Sequence, residues 1–142
     1  MVRVKFFICS DSAALDARLN TVSAFHIMEQ LNAPAFPVAI PRVAVLALVS
    51  REETDPNNVQ LHLQIVCGQQ HLFDGPVPVN FNQQLSARTI IDMQGLVLPA
   101  PGELRLLLMN ANDTIASWTV LVNHVGQAGA QLFFPAPPPP VA

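Results

Sequence analysis

The chain has 142 residues, of which 51% are apolar and 12% charged, with a formal net charge of −3. One lysine and six scattered arginines form no basic stripe, which excludes the electrostatic footprint a nucleic-acid binder needs. Two cysteines are too few for a disulfide scaffold, and no stretch approaches the ~20 consecutive apolar residues of a membrane-spanning helix.

A chain this long fits one domain, burying roughly 68–70% of its unfolded surface. Ordinary domains carry about 25% charged residues. Here Asn and Gln fill the polar positions instead. A surface so poor in ionised groups favours cover by a partner, so a homo-oligomer or another protein partner is expected. The apolar run 6–9 is too short for a signal sequence, and a cytoplasmic location is the expectation.

Residues 2–9 alternate, with Val2, Val4, Phe6 and Ile8 on one face and Arg3 and Lys5 on the other, which predicts a first strand at or near a sheet edge. Residues 10–17 read as a loop with a capped helical turn, in which Asp11 and Asp16 serve as cap and turn residues rather than metal ligands. The segments 18–28 and 42–50 then form the pair around which the chain is organised: two long strands of one sheet, joined by a loop stiffened by Pro34, Pro37 and Pro41. The first strand breaks its alternation at Ser23-Ala24, where a bulge would restore the inward face. In the second, residues 43–49 are apolar almost without interruption, as suits a strand covered on both faces.

The charged piece 51–58 ends in the turn signal Asp55-Pro56-Asn57-Asn58. Residues 59–66 form the most regular half-buried strand, with Val59, Leu61, Leu63 and Ile65 inward. Residues 77–82 alternate too, and Pro76 and Pro78 demote them to an edge strand. Strands follow over 87–93, 103–109 and 114–122, separated by the turns 99–102 and 110–113. About seven to nine short strands with a turn near every tenth residue predict an antiparallel β-sandwich over 1–125. Residues 126–142 form a separate Gly/Ala linker and tail. Leu132, Phe133 and Phe134 make an apolar hook, and Pro135 and Pro137 begin a polyproline stretch; together they are expected to dock on the same or a neighbouring subunit.

The chain lacks Gly-rich phosphate loops and a Gly-x-Ser-x-Gly elbow. Its four histidines have no metal-ligand spacing. His62 with His71, and Cys67 with His71, read as strand-surface and turn residues; Asp92 reads as an outward carboxylate. Cys9 and Cys67 read as buried free thiols, with a bridge left open. No catalytic residue, cofactor or metal is predicted.

Cys9-Ser10-Asp11, the strand Leu19-Asn20-Thr21-Val22-Ser23-Ala24-Phe25, the loop Ala35-Phe36-Pro37 and the turn Pro101-Gly102-Glu103-Leu104 together resemble a bacterial family of small uncharacterised proteins. Ser23 replaces the family's usual Gly, and Leu104 its aromatic. The resemblance spans residues 2–122 and implies an immunoglobulin-like β-sandwich with nothing catalytic. The expected function is therefore non-enzymatic: a protein-interaction or assembly subunit that self-associates through its apolar surface and tail, with Phe36 and Pro37 as a loop surface. The alternative is a small-ligand module with a pocket between the 34–41 and 95–102 loops.

Overall fold

The structure is a computed structural model that describes residues 1–126. Nine strands follow one another along the described residues: β1 (Arg3–Asp16), β2 (Thr21–Ile27), β3 (Gln30–Ala33), β4 (Val38–Ser50), β5 (Asn58–Cys67), β6 (Gln70–Asn80), β7 (Ser86–Leu98), β8 (Gly102–Asn110) and β9 (Asp113–His124). They form a four-stranded sheet, β2-β1-β4-β7, and a five-stranded sheet, β3-β9-β8-β5-β6. Every neighbour pair is antiparallel except β3–β9. The all-β double sheet expected from period-two hydrophobicity is present. The tail residues Leu132, Phe133, Phe134, Pro135 and Pro137 lie outside the described residues.

The five-stranded sheet follows the alternation closely. Leu61, Leu63 and Ile65 of β5, Leu104, Leu106 and Leu108 of β8, and Val120 and Val122 of β9 are buried in one core. β6 is an edge strand, as Pro76 and Pro78 require, since neither can donate to a ladder. The turn between β8 and β9 has Ala111 in the left-handed region, at φ 55°.

The four-stranded sheet departs from the expectation in several ways. The organising strands 18–28 and 42–50 do share a sheet, as β2 and β4, but β1 lies between them. β1 pairs with β4 through residues 3–10 and with β2 through residues 10–16, so its first half has a ladder partner on one side only, near an edge as expected. Its inward face also differs. Val4 pairs with Val49 but Phe6 pairs with Leu48, so Lys5 is the extra residue of a β-bulge. Beyond it Phe7 and Cys9 enter the core, and Phe6 and Ile8 face the other way. The bulge expected at Ser23-Ala24 is absent, for β1–β2 keeps one register from Ser10↔Ile27 to Asp16↔Thr21. Residues 10–16 extend β1 instead of forming a helical turn. The joining loop holds one short unpredicted strand, β3, whose four residues pair parallel with β9, and a cis Phe36–Pro37 bond.

Residues opposite one another on paired strands share a face. Phe7, Ala47 and Thr89 form one core-facing row, and Cys9, Val45 and Ile91 another. The rows between them, Phe6–Leu48–Arg88, Ile8–Leu46–Ile90 and Ser10–Ala44–Asp92, lie on the opposite face. Yet Leu46 is 1% exposed, and Ala44 and Ser10 are 0% exposed. Something covers them.

The cover is the β1–β2 hairpin. Continued straight, β1 would carry Asp16 about 33 Å beyond the Phe6 row, at ~3.3 Å per residue. Instead Arg88, which lies in that row, donates from Nη2 to the Asn20 carbonyl at 2.9 Å and from Nη1 to Asn20 Oδ1 at 3.4 Å. The hairpin therefore folds back over the sheet. Ser10 marks the bend: its Oγ donates toward the carbonyls of Ser12 at 3.1 Å and Ala44 at 3.5 Å. Ala13, Val22 and Ala24 are half-buried, and Ala13 and Ala24 are paired opposites on one face of the hairpin. The run 43–49 is thus covered on both faces, as read from its composition. Leu46→Ala is expected to cost ~2–5 kcal/mol in urea unfolding. Leu121→Ala, half-exposed on β9, should stay within about 0.5 kcal/mol. Equal costs would mean that the hairpin does not cover Leu46.

Candidate functional site

Two features stand out: a polar cleft at the hairpin tip and an apolar surface on the hairpin itself. The tip is built by Asp16, whose Oδ1 accepts from the backbone N–H of Arg18 at 3.0 Å and of Leu19 at 3.2 Å, and by Asn20 in the left-handed region, at φ 54°. Facing it is the turn after β6. Phe81 anchors that turn at 1% exposed, and Asn82 and Gln83 follow at φ 51° and 66°. Asn57 Oδ1 accepts the Gln83 N–H at 2.7 Å, and Asn80 Oδ1 accepts the Asn82 N–H at 2.9 Å. Arg51 braces the turn from behind, donating to the Gln84 carbonyl at 2.8 Å with its guanidinium 5.5 Å from the Phe81 ring centre.

Between tip and turn lies an open cleft of about 360 Å³. Its polar lining is Asn20, Asn80, Asn82, Gln84, Ser86 and Arg88, over Leu48, Phe81 and Ala87. The reading of residues 77–82 as alternating strand missed the cleft, though a signal was present. Four carboxamides around one Phe, directly after a proline-bearing edge strand, mark a turn that side chains must build.

The apolar surface is concentrated on one hairpin. Of nine exposed large apolar residues among the described residues, Leu15, Leu19, Phe25 and Ile27 lie on or beside it. Phe25 and Ile27 pair with Ser12 and Ser10.

Other anticipated residues separate. Phe36 is half-buried against the core with its ring 6.1 Å from that of His124, while Pro37 is exposed. A small apolar cavity of about 200 Å³ lies near the 34–41 loop; from 95–102 only Leu98 lines it. His62 pairs with Asp74 and His26 with Asp11, and both pairs are exposed. Asp92 is exposed too. Among the described residues no three His, Cys, Asp or Glu gather to hold a metal ion.

The thiols are free and buried. Cys67 Sγ approaches the Ala100 carbonyl at 3.5 Å rather than His71, and burial raises its pKa. Cys9 lies 3.9 Å from Met28 Sδ, and burial pushes its thiol up to about 12. A thiol that stays neutral when folded but ionises near its ordinary pKa of 9.0 when unfolded favours the folded state below that pH. This stability is lost as pH rises through the interval toward 12, at up to ~1.4 kcal/mol per pH unit. With no Tyr and one Lys, few other side chains titrate there. Urea midpoints at about pH 8 and about pH 10.5 should therefore fall more steeply for the native chain than for Cys9→Ala. Parallel slopes would refute this role for Cys9.

A family model described as a family of unknown function (DUF6941) matches residues 5–123. No curated protein matches. Among solved structures, an immunoglobulin-like protein from Pseudomonas aeruginosa is similar at 12% identity, with a TM-score of 0.45, over 86% of this chain and 96% of that one.

Proposed function

The chain belongs to that family of unknown function, and from this premise we propose that it acts by contact rather than catalysis, as a self-associating assembly subunit. The observation that carries the reading is the exposure of Phe25 and Ile27, which lie with Ser12 and Ser10 on one face of the hairpin, together with Leu15 and Leu19 exposed toward its tip. Scattered single apolar residues are ordinary on a surface, but two large ones side by side on one strand are what interfaces bury. A charge content of 12% supports the same reading, because interface cores are depleted in ionised groups. In this proposal the sandwich is of the immunoglobulin-like kind and cytoplasmic, and the segment carrying Leu132, Phe133, Phe134, Pro135 and Pro137 adds to the contact. The ligand-module alternative at the 34–41 loop ranks second, since a cavity of about 200 Å³ lies below the ~300–1,000 Å³ usual for ligand sites.

Light scattering on the size-exclusion peak of the full chain tests the proposal. A dimer or larger species is expected, shifted toward monomer by Phe25→Ser with Ile27→Ser while the circular dichroism stays that of β-sheet. Loss of two such anchors should weaken association by at least ~30-fold, about 2 kcal/mol. A monomer at every concentration would refute it.

A further inference from the structure

The cleft between the hairpin tip and the β6–β7 turn is biased toward hydrogen donors, and the chain's own bonding sets that bias. Asn80 Oδ1 accepts from the backbone N–H of Asn82 and from Asn57 Nδ2, at 2.9 and 3.2 Å. A backbone N–H can only donate, so the amide orientation of Asn80 is fixed with its oxygen inward. Its Nδ2 donates to no partner among the described residues, and Asn80 lines the cleft. Asn20 follows the same logic: its Oδ1 and carbonyl both accept from the Arg88 guanidinium, which also can only donate. The Asn20 Nδ2 likewise donates to no partner among the described residues. The Gln84 carbonyl is occupied by Arg51 Nε, which removes a further acceptor. Ser86 and the carboxamides of Asn82 and Gln84 complete the polar lining, and neither Asp nor Glu contributes to it. Arg88 is the one ionised side chain in the wall.

A concave site with one fixed cation, two amide donors locked by their own oxygens and no carboxylate selects an anion with several acceptor oxygens. Its volume of about 360 Å³ falls within the range of small-molecule sites, about 300–1,000 Å³. We propose that this cleft binds a small oxygen-rich carboxylate, held by Arg88 and by the side-chain amides of Asn20 and Asn80. Such a ligand bridges the tip of the folded-back hairpin to the body of the sandwich, because Asn20 belongs to the first and Asn80 and Arg88 to the second. The cleft adjoins the self-association surface at the tip, where Leu19 precedes Asn20, but the two use different side chains and either assignment stands without the other.

The test uses the full chain labelled with nitrogen-15 and titrated with glucuronate, with glucose as a neutral ring of the same size. Saturable shifts of the Asn20 and Asn80 side-chain amide signals are expected with glucuronate, at Kd of roughly 1–10 mM, and not with glucose. Asn80→Asp keeps an oxygen acceptor toward Asn82 and Asn57 but turns the cleft-facing donor into a second carboxylate oxygen. It should weaken glucuronate at least ~10-fold. Should thermal unfolding show that Asn80→Asp is misfolded, Asn20→Asp, which neutralises Arg88 and removes a donor, carries the same expectation. Unmoved signals, equal shifts with glucose, or undiminished binding by the folded Asp variant would overturn the assignment.

Discussion

A strand that is apolar at every position must be covered on both faces. β4 has Val43, Val45, Ala47 and Val49 facing the second sheet, with Ala44, Leu46 and Leu48 facing away from it. Leaving the second set in water would forgo roughly 25 cal/mol for each Å² of apolar surface. An α/β protein would lay helices there. The described residues contain no helix, and the chain solves the problem by doubling one of its own strands back. β1 pairs with β4 through its first half and with β2 through its second, and the change occurs at Ser10. Everything at the tip follows from that fold-back: Asn20 meets Arg88, and the cleft is enclosed between hairpin and turn.

Bending a strand inside a protein exposes backbone groups to loss of their partners. Here short polar side chains repair the loss. Ser10 is wholly buried and directs its hydroxyl at two carbonyls. Asp16 satisfies two amides in the tip, Asn57 and Asn80 two in the facing turn. Among the described residues no buried side-chain nitrogen or oxygen lacks a partner. Asn57 and Asn80, polar without charge, are therefore structural. They build turns that a more ionic chain would leave to salt bridges and solvent.

The fold was legible wherever a strand obeyed period two without interruption. β5, β8 and β9 follow Leu61–Ile65, Leu104–Leu108 and Val120–Val122 directly, and β6 is at an edge because its prolines cannot donate. β4 was legible as a doubly covered strand, but not what covers it, because burial by a distant segment leaves no local period. β1 misled for a related reason. The extra residue at Lys5 reverses the phase of the alternation, and both Phe6 and Phe7 are apolar, so either phase looked acceptable. The cleft was least legible. It joins Asn20 to Arg88 across 68 positions, and carboxamides carry no charge pattern to announce a site.

The bulge at Lys5 has one more implication. Val4 and Phe6 already occupy consecutive partner positions, opposite Val49 and Leu48. A chain one residue shorter at this point would keep Val4 and Phe7 inward and Phe6 outward, with a regular ladder in place of the bulge. Deletions within strands ordinarily exchange the two faces of everything that follows. This strand contains a place where length can vary without re-threading either the core or the layer above it.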